Sequence, residues 1–378
     1  MNRGDRWLLI LPLLLTAVGI VMVYSSSAIL GITRYQDPDY FLVRQLSRAA
    51  LGVGVMLLFA KLRLKVIERS TPLVFGVAAV ALAAVVVVGQ FSHGAQRWLK
   101  LWSITIQPTD VARIAAVAML AWWLRRHPPE ENDFWRGVGA PLGLAGGLAG
   151  LILLQPNLSS AGLLGMTALG MLVLAGARWR HLAIPIGAGA AAVAVMLLTH
   201  PYQMKRVSTF VGFLFHGDLD ARGAGWQLDQ SLIALGSGGW LGRGIGGGLQ
   251  KYLFLPEAHT DFIFSILGEE TGFVGASLLL AGLALYLWRG MRAAACAADP
   301  FAALLAGGIT IQIGLYAIVN LMVATGLAPT TGLPLPFVSY GGSALLVNLA
   351  AAGVLYRVSA TGEEREALAR QRWAREAT

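Results

Sequence analysis

Long charge-free, apolar stretches recur along the chain, separated by short clusters rich in Arg, Lys, Pro and Gly. Residues 7–33 form one run of 27 and residues 70–96 form another. Crossing ~30 Å of hydrocarbon takes about 20 helical residues, so each run predicts one membrane-spanning helix. Residues 137–177 hold 41 positions without a charge, about 60 Å as one helix, or twice a single crossing. Gln155-Pro156-Asn157 in the middle is a turn signal and divides the run in two. Residues 300–356 divide likewise at the Pro/Gly-rich segment 325–342, and residues 181–204 add another pass. Segments 43–60, 108–124 and 261–288 are weaker candidates, because they carry Arg48, Asp110 with Arg113, and Asp261 with Glu269 and Glu270. The pattern predicts an all-α integral membrane protein of ten helices. It places one transmembrane domain over residues 1–358 and a tail over residues 359–378.

Composition agrees. Hydrophobic residues make up 56% of the chain and charged residues 13%, about half the ~25% of soluble domains. That excludes a water-soluble enzyme, a disordered chain and a collagen-like repeat. The first run is too long for the ~7–15-residue apolar region of a signal peptide, so it is read as a retained helix. Cys296 is the only cysteine and can form no internal disulfide.

The net charge of +9 is a topology signal, with no nucleic-acid partner implied. Alternate connections are basic: Lys61, Arg63, Lys65 and Arg69; Arg125, Arg126 and Arg136; Arg178 and Arg180; Arg289 and Arg292; and the Arg-rich tail. By the positive-inside rule these are cytoplasmic, with both termini.

This topology leaves one long outer loop, about residues 199–260, between the seventh and eighth helices. Long connections within a compact fold tend to be functional or disordered. Within it, residues 230–235 predict a short surface helix. The glycine-rich string 236–248 superficially matches a G-x-G-x-x-G fingerprint, but no βαβ context surrounds it. It reads either as flexible linker or as backbone packing closely against a bulky ligand.

Ionisable groups in membrane segments mark functional sites by default. Asp110 and Arg113, three apart, share a helix face and read equally as a neutralising pair or a site. Around the start of the eighth helix, Glu257, His259, Asp261, Glu269 and Glu270 exceed what helix capping requires. Glu269, eight residues beyond Asp261, calls for a cationic partner, and Arg113 is nearest by expected depth. An interfacial carboxylate beside a histidine and basic loops suits proton abstraction from a hydroxyl near an anionic lipid headgroup. Arg97, Trp98 and Lys100, with Lys205, Arg206 and Lys251, supply cations and an anchoring aromatic at headgroup level, natural partners for a diphosphate.

The strings LPEAHTDFIF (255–264), GEETGF (268–273), QSLIALGSGG (230–239), GAQRW (94–98), QPTDVAR (107–113) and TTGLPLPFVSYGGSA (330–344) closely resemble the SEDS family of FtsW, RodA and SpoVE proteins. PEAH and GSGG are closer to the FtsW branch. The resemblance runs from about residue 7 to 358. It implies a peptidoglycan glycosyltransferase of the bacterial cytoplasmic membrane, in division or elongation, polymerising lipid II at the outer face beside a class B penicillin-binding transpeptidase and other divisome or elongasome membrane proteins. The family's essential aspartate maps onto Asp261, with inversion at the MurNAc anomeric carbon and undecaprenyl diphosphate as leaving group. Arg97, Trp98, Lys100, Asp110, Arg113, Gln155, Asn157, Arg206, Lys251, Glu257, His259 and Ser339 form the candidate substrate-binding set. The family's Gln-Pro-Asp reads Gln155-Pro156-Asn157 here, and its usual Glu and Lys are Asp110 and Arg113. A divalent cation, Mg²⁺ or Mn²⁺, is the one candidate cofactor, with Asp261 as its candidate ligand, and Asn157 would weaken such a site by one charge.

Two other functions share these features. Midmembrane charges and broken helices also describe transporters, so a lipid II flippase would use the same ligand. A noncatalytic scaffold recruiting the transpeptidase would leave Asp261 dispensable.

Overall fold

A computed structural model describes residues 4–88, 90–92, 95–101, 104–129, 134–199, 201–216 and 224–376. The helices, in chain order, are α1 (Trp7–Tyr35), α2 (Tyr40–Lys61), α3 (Leu64–Val88), α4 (Pro108–Arg126), α5 (Ala140–Leu153), α6 (Leu158–Leu174), α7 (Trp179–Thr199), α8 (Pro201–His216), α9 (Ala224–Ser237), α10 (Ile263–Ala295), α11 (Pro300–Ala324) and α12 (Gly342–Glu376). A π-helical turn, Trp135–Gly139, leads into α5.

Eight helical segments are long and apolar enough to cross a membrane; they lie in α1, α2, α3, the π turn with α5, α7, α10, α11 and α12. α6 is apolar but only 17 residues long, and α4 spans 19 residues carrying Asp110, Arg113, Arg125 and Arg126. α4 is polar because it is enclosed. Asp110, Ala112, Arg113, Ala116, Val117 and Leu120 are all buried, so protein rather than lipid surrounds them. The expected breaks are where the turn signals lie: Gln155-Pro156-Asn157 parts α5 from α6, and α11 ends at Ala324 before α12 starts at Gly342. The tail continues α12 as helical backbone to Glu376.

α11 and α12 form the interior of the bundle, while α7 lies at its edge. Close approach is set by small residues: a Cβ on Gly353 of α12 would lie 2.2 Å from the Met56 carbonyl of α2, so only glycine admits that backbone contact.

The all-α expectation holds for the membrane-spanning body, to which one small sheet is added. Three short strands, β1 (Gln90–Ser92), β2 (Ala95–Leu101) and β3 (Ile104–Ile106), form an antiparallel sheet in the order β1-β2-β3. The charge-free run 70–96 therefore contains a helix ending at Val88 followed by a strand, because alternating polar residues such as Gln90 and Ser92 suit a hairpin better than a lipid-facing helix turn. The pass expected over 181–204 likewise ends at Thr199, and Pro201 opens α8.

The glycine-rich string is bonded into the fold rather than left as a flexible linker. α10 breaks at Gly272 (φ 66°, ψ −166°), and the freed backbone groups are taken up by this string. Arg243 and Gly244 N–H donate to the carbonyls of Glu269 and Glu270, and Phe273 and Val274 N–H donate to those of Gly239 and Trp240. Gly242 (φ 79°) would place a Cβ 2.2 Å from the Glu270 carbonyl. Broken helices persist at membrane level only when neighbouring groups re-satisfy the backbone, and here the glycines admit the strand of chain that does so.

Candidate functional site

The site is built on the turn that precedes α10. Glu257 adopts φ 54°, and its carbonyl accepts the N–H groups of Thr260 (3.2 Å), Asp261 (3.1 Å) and Phe262 (3.3 Å). Thr260 Oγ1 donates to Glu257 Oε2 at 2.8 Å. The chain thus winds around one carbonyl and delivers Asp261 just ahead of Ile263, the first residue of α10.

Three consecutive carbonyls of this turn are held from outside it. That of His259 accepts the Tyr340 N–H at 2.9 Å. That of Thr260 accepts Ser339 Oγ at 2.5 Å, and that of Asp261 accepts Asn320 Nδ2 at 2.8 Å. Asn320, on α11, also donates to the Leu333 carbonyl at 2.8 Å. Ser339 Oγ in turn accepts the Leu335 N–H at 2.8 Å. The segment 330–340 therefore wraps the turn as a second wall.

The Asp261 side chain is half-buried. Burial foremost, and then the neighbouring Glu257 carboxylate, raise its pKa to about 7, against the opposing pull of the Arg206 guanidinium. Arg206, on α8, is oriented by a 3.1 Å bond from Nη1 to the Thr330 carbonyl. Gly332 is exposed, and a Cβ there would sit 3.8 Å from Asp261 Oδ2. Bare backbone thus flanks one oxygen of the carboxylate. His259 is buried with its ring 4.8 Å from that of Phe41 and 5.5 Å from that of Tyr340. Burial lowers its pKa, with Glu257 opposing and Arg34 adding, which favours the neutral imidazole.

Of the expected residues, the structure brings together Asp261, Glu257, His259, Arg206 and Ser339. Trp98 is half-buried on β2, while the side chains of Arg97 and Lys100 lie outside the described residues. Asp110 and Arg113 are bonded toward α12: Ser343 Oγ donates to Asp110 Oδ2 at 2.6 Å, and Arg113 Nη2 donates to Asn348 Oδ1 at 2.7 Å. Arg113 Nε lies 3.8 Å from Asp110 Oδ1, and its guanidinium sits over the Tyr316 ring at 4.4 Å.

Several expectations are corrected. Lys251 is not presented to a headgroup; it is 7% exposed and bonded to Glu270 (2.8 Å) and Ser25 (3.1 Å). Glu269 is partnered not by Arg113 but by the Leu249 and Gln250 N–H groups (2.7 and 3.2 Å), with Arg243 at 3.8 Å. Gln155 is buried and donates to the Leu82 carbonyl at 3.0 Å, and Asn157 caps α6 by accepting the Ser160 N–H at 3.2 Å. Both serve the fold at the helix break. Ser339 Oγ is engaged with the turn, donating to the Thr260 carbonyl and accepting the Leu335 N–H.

Sequence reasoning missed Asn320 and Gly332. Asn320 had a usable signal, an amide inside a long charge-free span, where an unpaired polar group is costly. Among the described residues no three His, Cys, Asp or Glu side chains come together as metal ligands. Glu257 and Asp261 are two carboxylates of one turn with Arg206 acting on the second, and the Asn157 oxygen accepts the Ser160 N–H.

A family model described as "Cell cycle protein", covering FtsW, RodA and SpoVE, matches residues 5–364. The chain belongs to the FtsW/RodA/SpoVE family. It is 39% identical over 362 residues to a probable peptidoglycan glycosyltransferase FtsW of Thioalkalivibrio sulfidiphilus, covering 94% of this chain and 90% of that one. It is 36% identical to the stage V sporulation protein E of Bacillus subtilis, covering 94% and 96%. Among solved structures, a chain from a peptidoglycan synthase complex described as coordinating polymerization and crosslinking superposes with TM-score 0.77 at 30% identity, covering 94% and 97%. The rod shape determining protein RodA of Thermus thermophilus superposes with TM-score 0.69 at 27% identity, covering 94% and 96%. In this FtsW/RodA/SpoVE-family chain, GEETG and the glycine string are the two halves of one packed unit, and TTGLPLPFVSYGG is the wall around Asp261.

Proposed function

We propose that this chain is a peptidoglycan glycosyltransferase that polymerises lipid II into β-1,4 glycan at the outer face of the cytoplasmic membrane. The single observation that carries the reading is Asp261: a half-buried carboxylate with a pKa near 7, fixed through its own backbone and faced by an arginine. A general base works best when its pKa lies near the operating pH, since it is then both substantially ionised and strongly basic. In the proposed step Asp261 takes the proton from the GlcNAc 4-hydroxyl of the acceptor. That oxygen bonds to the MurNAc anomeric carbon as the bond to the diphosphate breaks, with inversion, and undecaprenyl diphosphate leaves. Among the described residues, Arg206 is the cation that acts on Asp261 and can meet negative charge at this centre.

The accompanying topology has ten crossings, the eight long apolar segments together with α4 and α6, and cytoplasmic termini. A class B penicillin-binding transpeptidase is the proposed partner, in keeping with the complex from which one structural relative comes.

Purified protein, alone and with a transpeptidase, given fluorescent lipid II in detergent tests the activity. A ladder of glycan strands on a gel is expected. Transfer of lipid II across a vesicle membrane with no polymer at any partner ratio would overturn the reading in favour of transport.

A further inference from the structure

The turn carrying Asp261 has a competing conformation, the N-terminal continuation of α10. In a continued α-helix the carbonyls of His259, Thr260 and Asp261 would accept the N–H groups of Ile263, Phe264 and Ser265. All three carbonyls are instead engaged from outside the turn, by Tyr340, Ser339 and Asn320 in order, and these bonds compete with the helical ones. Ser265 N–H instead bonds to the Phe262 carbonyl at 3.0 Å, and the helix starts at Ile263. Winding one more turn would rotate Asp261 about the helix axis and carry its carboxylate away from Gly332.

Asn320 is suited to this task by its donors. It is 1% exposed, donates from one nitrogen to the carbonyls of both Asp261 and Leu333, and its Oδ1 accepts no hydrogen bond among the described residues. A buried amide with an idle acceptor is costly, so packing alone does not account for its choice over leucine. Ser339 acts similarly, relaying the Leu335 N–H to the Thr260 carbonyl through one hydroxyl.

We propose that Asn320 and Ser339 are positioning residues: they stop α10 short of Asp261 and fix the direction of its carboxylate. This rests on the reading of Asp261 as the base. Neither residue touches the reacting atoms; both act through the Asp261 backbone.

The test compares purified full-length wild type with Asn320→Leu, Ser339→Ala, Ser339→Thr and Asp261→Asn, using fluorescent lipid II and measuring saturating rate, KM and melting temperature. Misplacing a reacting group by about an ångström costs up to ~10²-fold in rate, so Asn320→Leu and Ser339→Ala are expected to lose about 10- to 100-fold in saturating rate. Their KM is expected to stay within about twofold, since only the reacting carboxylate turns. Ser339→Thr, which keeps the hydroxyl, is expected to retain most of the rate. If Asn320→Leu fails to fold, the Ser339 pair alone decides. An inactive Asp261→Asn beside a fully active Ser339→Ala, or a Ser339→Thr as damaged as Ser339→Ala, overturns the positioning role. An active Asp261→Asn overturns the base assignment and this proposal with it.

Discussion

The ammonium of Lys251 lies 2.8 Å from the Glu270 carboxylate, and both side chains are buried, with Ser25 of α1 bonded to each. This pair ties the end of the glycine string to the first half of α10 and to α1. Removing one partner of a buried pair strands the other charge, typically at ~3–5 kcal/mol. Lys251→Met or Glu270→Leu alone is therefore expected to lower the melting temperature in detergent sharply. The double variant Lys251→Met, Glu270→Leu should recover most of the loss, because matched apolar replacements leave no stranded charge. A thermal-shift series that finds the single variants as stable as wild type would remove the pair from the account.

Gly332 leaves space where a side chain would stand against Asp261. Its Cβ would meet nothing nearer than Asp261 Oδ2, at 3.8 Å, so Gly332→Ala fits the folded chain. Such replacements stabilise by ~0.4–1 kcal/mol when the backbone tolerates them. The methyl group occupies the approach to the carboxylate, however, and polymerisation is expected to drop about tenfold through a raised KM. Unchanged KM and rate with a normal melting temperature would show that the acceptor approaches from another side.

The helices were legible because lipid demands it: about 20 apolar residues per crossing is a length rule that local sequence obeys. α1, α7 and the break at Gln155-Pro156-Asn157 follow from it directly. Asp261, Glu257 and His259 were legible because the acids and the histidine gathered between residues 257 and 270 exceed what helix capping needs. What was not legible depends on tertiary partners. Lys251 reads as a headgroup cation until Glu270 is seen beside it, and Glu269 reads as needing an arginine until backbone amides supply its bonds. β1 was hidden at the end of the charge-free run 70–96, where the polar residues gave only a two-residue period. Asn320 was passed over because it lies in a charge-free span, and a polar group there declares itself only through what it holds.

pH separates the chemistry at Asp261 from its effect on folding. Its carboxyl is raised from 3.8 to about 7, so the ionised base accumulates as pH rises through 7. Polymerisation by wild type should climb between pH 6 and pH 8, half-complete near 7. Stability runs the other way: a raised carboxyl pKa means the folded state holds its proton more tightly than the unfolded chain. That contribution is full below 3.8 and lost as pH rises to about 7. Asp261→Asn should accordingly melt at or above the wild-type temperature at pH 8, and the gap should shrink at pH 5. A rate profile flat across this range in wild type would contradict the assigned pKa.

The most direct test of the central claim is the polymerisation rate of Asp261→Asn. Asparagine keeps the size and the backbone bonds of the turn, including the carbonyl held by Asn320, and removes the proton acceptor. General-base assistance contributes ~10²–10⁴-fold, so glycan strands from lipid II should fall by at least that lower bound while the melting temperature is not lowered. Glycan synthesis by this variant at the wild-type rate would contradict the assignment of Asp261 as the base.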